Sequence, residues 1–366
     1  MYNRGIPMAA NGHKRVLFHA VLPHHFVFFR PVYERLQADP RLDWYWSSNL
    51  LGWRLKRHVL DLFPVKGKKL SSLAAAPRAY DLLLSPVYLK FDVAPRARQR
   101  VQVFHGVAIT NCFLKSAIND YDRFFMIGPY MVRRFAQKGL LREDDPRIEM
   151  IGMPKLDALV DGTLDPAALK QQLALDPALP VVLYAPSGTH SSISTHGLEA
   201  IEHLRALRVN LLIKLHDKSL DFRRTFSDWL SRVKKLQGAQ VHVIEDFDIV
   251  PYLALADVLV SDFSSAANEF LLRDRPIIFI DTPEKYELNK ERWDTEVWGQ
   301  KVGVRVRSVE ELVAALEDAL AYPERMSALR RQAAADIFYK PGTATARAVQ
   351  KIYDILELAP PAAASS

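Results

Sequence analysis

Short apolar runs recur along the chain, separated by longer stretches of mixed polarity. RVLFHA (15–20), LDWYWS (42–47), YDLLLS (80–85), RVQVF (100–104), RFFMI (123–127) and the run at 148–151 are of strand length and read as strands. Helical patterns cover Phe28–Gln37 and Pro129–Lys138. Between Gly152 and Pro180 lies an acidic, helix-rich connector with turn signals at Asp161-Gly162 and Asp165-Pro166. The pattern then repeats. VVLY (181–184), NLLIKL (210–215), QVHVI (240–244), 258–260 and 276–280 read as strands, while 197–206, 266–272, 310–320, 323–335 and 343–356 read as helices. Strands alternating with helices predict parallel, doubly wound α/β sheets. The halves share a pattern and no sequence repeat. The expected division is a first domain over 14–155, a second over 156–340 and a closing helix over 341–358. Residues 1–13 and the final PPAAASS are expected to be disordered.

Composition narrows the class. At 366 residues, 49% hydrophobic and 25% charged, the chain suits two soluble globular domains of ordinary size. Cys112 is the sole cysteine, which excludes an internal disulfide framework and a cysteine-built metal site. The first residues lack the apolar core of a secretory signal, and no apolar run approaches the ~18 residues of a membrane span. A cytoplasmic protein is expected. The net charge of +7 is densest in Trp53–Lys69, where cations mix with Trp53, Leu55, Val59, Leu60, Leu62 and Phe63. That mixture suits the anionic inner face of a cell membrane, and equally a solvated basic face over ordinary core residues. No nucleic-acid motif is present.

The richest stretch is DVLVSDFSSAANEFLLRDRPIIFID, from Asp257 to Asp281. It reads strand, small polar turn, helix, strand, and so predicts a parallel crossover whose turn lies at the carboxyl end of a sheet. Ser264 and Ser265 fall at the helix start, where unsatisfied N–H groups and the helix dipole favour an anion. Glu269, about one turn further on, suits a ribose hydroxyl. The same residues would equally serve as a plain helix cap and a solvated acid.

Other polar residues fall just past strand ends. His105 follows the fourth run and precedes Gly106, which permits close backbone approach. A histidine there suits a general base at neutral pH, or a hydrogen-bonded structural role. A strand period of two would put Lys214 and His216 of NLLIKLHD on one face, suited to phosphate. The loop after VVLY, APSGTHSSISTHG, is long and polar enough to fold over a ligand, with Ser187 near its start. His190 and His196 have no carboxylate or cysteine at a usual ligand spacing, so no metal is expected. No cofactor is expected either. His24 and His25, in the loop after the first strand, are candidates on the acceptor side.

Together these motifs resemble the CDP-glycerol glycerophosphotransferase family, which builds teichoic acids and related glycerol-phosphate polymers. The matching features are His105-Gly106, APS at 185–187, KLHD at 214–217, ADVLVSDFSSAANEFLLRDRPIIFID, and the ending FYKPGTATARAVQKI. The likeness runs from about residue 100 to 350. Two features depart from the family. VAITNC follows His105-Gly106 where Thr-Pro-Leu-Lys is typical, and Asp217 stands where proline is usual.

The resemblance implies a GT-B fold, two Rossmann-like domains facing a cleft with the last helix crossing back to the first. It implies that His105 and His216 are catalytic, and that Ser264, Ser265 and Glu269 bind the donor nucleotide, with Ser187 and Lys214 beside its phosphates. The reaction implied moves glycerol phosphate, or a similar polyol phosphate, from a CDP-linked donor to a lipid-linked or polymer acceptor at the inner membrane face. Sugar transfer from a nucleotide sugar is the runner-up on the same fold. A sugar-nucleotide epimerase would carry glycines where this chain has serines, and a non-catalytic nucleotide- or membrane-binding relative is the third alternative.

Overall fold

The computed structural model describes residues 12–20, 23–48, 63–86, 95–107, 118–188, 191–220, 227–262, 264–284, 287 and 298–361. Most of Trp53–Lys69, Cys112, His190 and nearly all of the two ends expected to be disordered lie outside them. The chain divides into two compact units, 1–157 with 338–366, and 158–337.

The first unit holds a seven-stranded sheet. Its principal elements are β1 (Lys14–His19), α1 (Pro23–Leu36), β2 (Leu42–Ser48), β3 (Lys68–Ser71), β4 (Ala79–Ser85), β5 (Arg96–Val103), β6 (Arg123–Met126), α2 (Pro129–Gln137) and β7 (Ile148–Met150). The order β3-β2-β1-β4-β5-β6-β7 is parallel throughout. Parallel strands covered on both faces must be apolar on both, and Val16, Leu17 and Phe18 are fully buried in succession, as are Leu82 and Leu83. Phe18 stacks on Trp46 with ring centres 4.7 Å apart, locking β1 to β2.

The second unit holds a six-stranded parallel sheet in the order β10-β9-β8-β11-β12-β13. Its principal elements are β8 (Val181–Ala185), α3 (Gly197–Arg205), β9 (Asn210–Ile213), β10 (Val241–Val243), β11 (Val258–Ser261), α4 (Ser265–Phe270), β12 (Ile277–Ile280), β13 (Val304–Val306), α5 (Val309–Ala321) and α6 (Ser327–Ile337). Val182, Tyr184, Leu211, Ile213, Val260 and Ile278 form its core with the apolar faces of α3 and α5. Buried Asn210 joins the start of β9 to the turn before β8. Its side-chain amide donates to the carbonyls of Asp176 and Leu179, and its oxygen accepts the Asp176 N–H.

The last helix, α7 (Ala344–Leu356), belongs to the first unit. Its N-terminal N–H groups are satisfied by a residue nearly two hundred positions away. The buried Asp157 carboxylate accepts from Ala344 N–H at 3.0 Å and Thr345 N–H at 2.6 Å. Arg347 donates to the Ile151 carbonyl at 2.8 Å, and the Tyr353 hydroxyl to Asp39 at 3.0 Å. Gly152 makes this close approach possible. Its φ is +90°, and a Cβ there would lie 2.6 Å from the Tyr339 carbonyl oxygen.

Two strands were not foreseen. β3 and β13 are edge strands, and their polar residues, KKLS and VRV, break the apolar run that marks a buried strand. Two of the differences in extent bear on candidate site residues. α1 begins at Pro23, so His24 and His25 sit in its first turn and not in a loop. β9 ends at Ile213, so Lys214 and His216 lie beyond the strand and its period of two does not govern them.

Candidate active sites at the carboxyl ends of the two sheets

In the first unit the strand order reverses between β1 and β4, and groups past the carboxyl ends of strands there are poised for ligands. Two chain segments deliver three imidazoles to this point. His24 and His25 follow β1 in the first turn of α1, and His105 follows β5. The His25 and His105 ring centres lie 5.1 Å apart, those of His24 and His105 5.6 Å, and those of His24 and His25 4.5 Å. His25 is buried, while His24 and His105 are half-buried. His105 Nδ1 is 3.0 Å from the carbonyl oxygen of Pro86, just past β4. A carbonyl can only accept, so Nδ1 carries the proton and, in the neutral ring, Nε2 carries the lone pair. Gly106 is half-buried directly after it.

In the second unit the order reverses between β8 and β11. The residue that organises this end is Asp262, directly after β11 and fully buried. One of its oxygens accepts the Ser187 N–H at 3.0 Å and the other accepts the Ser192 N–H at 2.7 Å. Ser261 Oγ donates to the Ala185 carbonyl at 2.6 Å. The segment after β8 is thereby tied to the Asp262 carboxylate by two hydrogen bonds, and the Ser261 bond joins the ends of β11 and β8. Burial pushes the Tyr184 phenol far above its ordinary pKa, so it stays neutral and shares a 2.9 Å hydrogen bond with Ser192 Oγ.

The serine turn caps α4. Ser264 Oγ accepts the Ala266 N–H at 3.3 Å, and Ser264 and Ser265 are half-buried. Glu269 is only 1% exposed, so its carboxylate is enclosed and not presented at the surface. Ser187 is also buried, and its Oγ has no hydrogen-bond partner among the described residues. Lys214, past the end of β9, is buried and donates from Nζ to the Asp246 carbonyl. His216 is half-buried, two residues on, and its carbonyl accepts the Ser219 N–H at 2.8 Å. Asp217 opens the short helix that follows. Sequence reasoning missed Asp262 and Pro86. For Asp262, the available signal was an acidic residue directly after an apolar strand.

The sequence matches the family described as CDP-Glycerol:Poly(glycerophosphate) glycerophosphotransferase over residues 102–357, more than half of the chain. The chain belongs to this family of transferases. The resemblance carried by His105-Gly106, KLHD and the serine turn is therefore borne out, and all three fall within the matched stretch, whereas His24 and His25 precede it. Two curated relatives come from Bacillus spizizenii. A teichoic acid ribitol-phosphate primase is 23% identical over 72% of this chain and 71% of its own length. A teichoic acid glycerol-phosphate primase is 26% identical over 35% of this chain, a match spanning about a third (32%) of that relative. Among solved structures, the wall teichoic acid polymerase TagF aligns with TM-score 0.69 at 15% identity, covering 95% of this chain and 90% of that one. A UDP-GlcNAc 2-epimerase from Neisseria meningitidis aligns with TM-score 0.56 at 14% identity, covering 93% and 100%. The fold class is α/β of the GT-B type, as expected.

Proposed function

We propose that the protein moves glycerol phosphate, or a similar polyol phosphate, from a CDP-linked donor to a hydroxyl acceptor that is lipid-linked or polymer-borne. The product is a cell-envelope polymer of the teichoic acid or capsule kind. Family membership supports the reaction class, and the names of both primases support a polyol phosphate as the group moved. A TagF structure soaked with CDPG supports a CDP-linked donor in a relative of the same fold.

The observation that carries the reading is the His105–Pro86 hydrogen bond, which fixes the tautomer so that the neutral form of the ring has its lone pair on Nε2. In the reaction that lone pair takes the acceptor hydroxyl proton as the oxygen attacks the β-phosphorus of the donor. A new P–O bond forms to the acceptor, the bond to the α-phosphate oxygen breaks, and CMP leaves with that electron pair. Cations and N–H donors must offset charge on the phosphates. Lys214 and His216 take that role in this reading, with Ser187, Ser264, Ser265 and Glu269 holding the nucleotide. An ammonium offers three N–H donors, so the bond to Asp246 does not exhaust Lys214. Gly106 lets the acceptor approach His105, with His24 and His25 beside it.

The enzyme works at the inner face of the cell membrane in this reading, held there peripherally. No helix among the described residues is long and apolar enough to cross a membrane. Exposed Lys66, Lys68 and Lys69 shortly precede Leu73 in sequence, which is 61% exposed, a mixture of cation and apolar side chain that suits an anionic lipid surface.

The test is CMP release from CDP-glycerol and CDP-ribitol, each with and without a glycerol-phosphate-primed lipid acceptor, alongside UDP-linked sugars. Acceptor-dependent CMP release is expected. UDP release in its place would overturn the reading in favour of sugar transfer.

A further inference from the structure

The three imidazoles at the end of the first sheet form a group whose ligand atoms, one from each of His24, His25 and His105, lie within 4.8 Å of one another. Three histidines bound to one tetrahedral ion at about 2.1 Å would hold their ring centres roughly 5 Å apart. The observed separations, 4.5, 5.1 and 5.6 Å, bracket that value, so small side-chain rotations would complete the site. A second observation is independent of the clustering. His105 donates Nδ1–H to the Pro86 carbonyl, the outer-shell arrangement that fixes the tautomer of a metal-bound histidine and turns Nε2 to the ion. His24 and His25 are held by the first turn of α1, a fourteen-residue helix, so two of the three ligands sit on a rigid element.

We infer that His24, His25 and His105 bind one divalent transition-metal ion of the zinc class, and that the bound ion switches the transferase off. A set of three imidazole nitrogens, joined by no carboxylate among the described residues, selects borderline ions such as Zn²⁺ or Co²⁺ over Mg²⁺ or Ca²⁺, which demand oxygen. The positive end of the α1 dipole lies at the same place and weakens the hold on a cation, so the ion exchanges and is not a permanent part of the protein. Inhibition rests on the proposed role of His105 as base. Once Nε2 donates its lone pair to the ion, it cannot take the acceptor proton. The three neutral imidazoles leave the ion its full positive charge and a fourth position for an oxygen ligand. The expectation of no metal rests on His190 and His196, and the proposed site lies elsewhere.

The test titrates untagged, chelator-stripped protein with Co²⁺ and reads the visible absorption of a four-coordinate ion. One equivalent is expected in the wild type, displaced by Zn²⁺ and not by Mg²⁺, with the band lost in both His24→Ala and His105→Ala. Circular dichroism of both variants separates lost ligands from lost folding. No band in the wild type, or a band that persists in a folded His24→Ala, overturns the site. In parallel, saturating Zn²⁺ should lower CMP release roughly 10²-fold or more, the scale of losing a general base. Stoichiometric binding with unchanged CMP release overturns the switch. If no donor yields CMP even in the stripped protein, the transfer reading fails while the Co²⁺ titration still decides the site.

Discussion

The Asp262 carboxylate accepts the Ser187 N–H at 3.0 Å, joining the end of β11 to the loop after β8 across a gap of 75 residues in sequence. With the second oxygen on Ser192 N–H at 2.7 Å, one buried side chain sets the position of a loop and of the serine turn together. Asp262→Asn keeps the shape, loses the charge and replaces one acceptor oxygen with a donor amide facing an N–H. The expected cost is about 1–3 kcal/mol in stability, read by urea denaturation. Because Ser187 and Ser264 flank this carboxylate, KM for the CDP-linked donor should rise as well. A variant with wild-type KM and stability would reduce Asp262 to an incidental contact.

A second carboxylate ties α7 to the body of its unit. Arg41 grips Asp39 with Nε and Nη2 at 2.9 and 2.7 Å, and the Tyr353 hydroxyl donates to it at 3.0 Å. The Arg41 hydrogen bonds outweigh burial and hold the Asp39 carboxyl down to about 2, against an ordinary 3.8. The folded value lies below the unfolded one, so the stabilisation is complete above about pH 4 and is lost as the pH falls toward 2. Solvent around half-exposed Arg41 holds the gain to about 2 kcal/mol. Asp39→Asn should therefore be less stable by about that amount at pH 7, with the difference from wild type shrinking through pH 4 to 2. Parallel stability profiles for the two proteins across that range would refute the linkage.

The legibility of this chain divides along burial. Strands sandwiched between helices declare themselves, since IIFI at 277–280 and LLL at 82–84 can only be apolar if both faces are covered. The edge strands β3 and β13 do not, because one side of an edge meets water and alternation with charge hides the run. The start of α1 was misread for a different reason. HHF carries no capping serine or aspartate, and the available signal was proline at the first helical position. Site residues were legible one at a time as polar groups past strand ends. Their grouping was not, since bringing His24 and His25 beside His105 depends on β1, β4 and β5 being neighbours in the sheet. Enclosure of Glu269 was equally invisible, because a helix of six residues carries too little periodicity to say which face is buried.

The basic face makes a separate prediction. Lys66, Lys68 and Lys69 are exposed around edge strand β3, with Leu73 close behind. Each cation near an anionic surface contributes about 1 kcal/mol, an attraction that falls off within a Debye length. Reversing all three lysines to glutamate should lower sedimentation with phosphatidylserine- or phosphatidylglycerol-containing vesicles by about tenfold or more at low salt, and less at high salt. CMP release with a water-soluble acceptor should stay near wild type. Failure of the wild-type protein to sediment with such vesicles would leave these lysines as a solvated edge.

The sharpest prediction separates His105 from His216. His105 is oriented by Pro86 and belongs to the first unit; His216 follows β9 in the second, two residues from Lys214. If His105 is the base, His105→Ala should lose turnover by roughly 10²–10⁴ while its affinity for CDP stays near wild type, because its lone pair acts on the acceptor. His105→Gln should rescue little. It can still donate to the Pro86 carbonyl, yet an amide cannot accept a proton at neutral pH. His216→Ala should lose both turnover and CDP affinity, since its assigned partners are the donor phosphates. The paired measurement is acceptor-dependent CMP release and calorimetric CDP binding on the same preparations. Full turnover in His105→Ala would end the base assignment. Lost CDP binding in that variant, with folding intact, would move His105 to the donor side and leave the acceptor proton to another group.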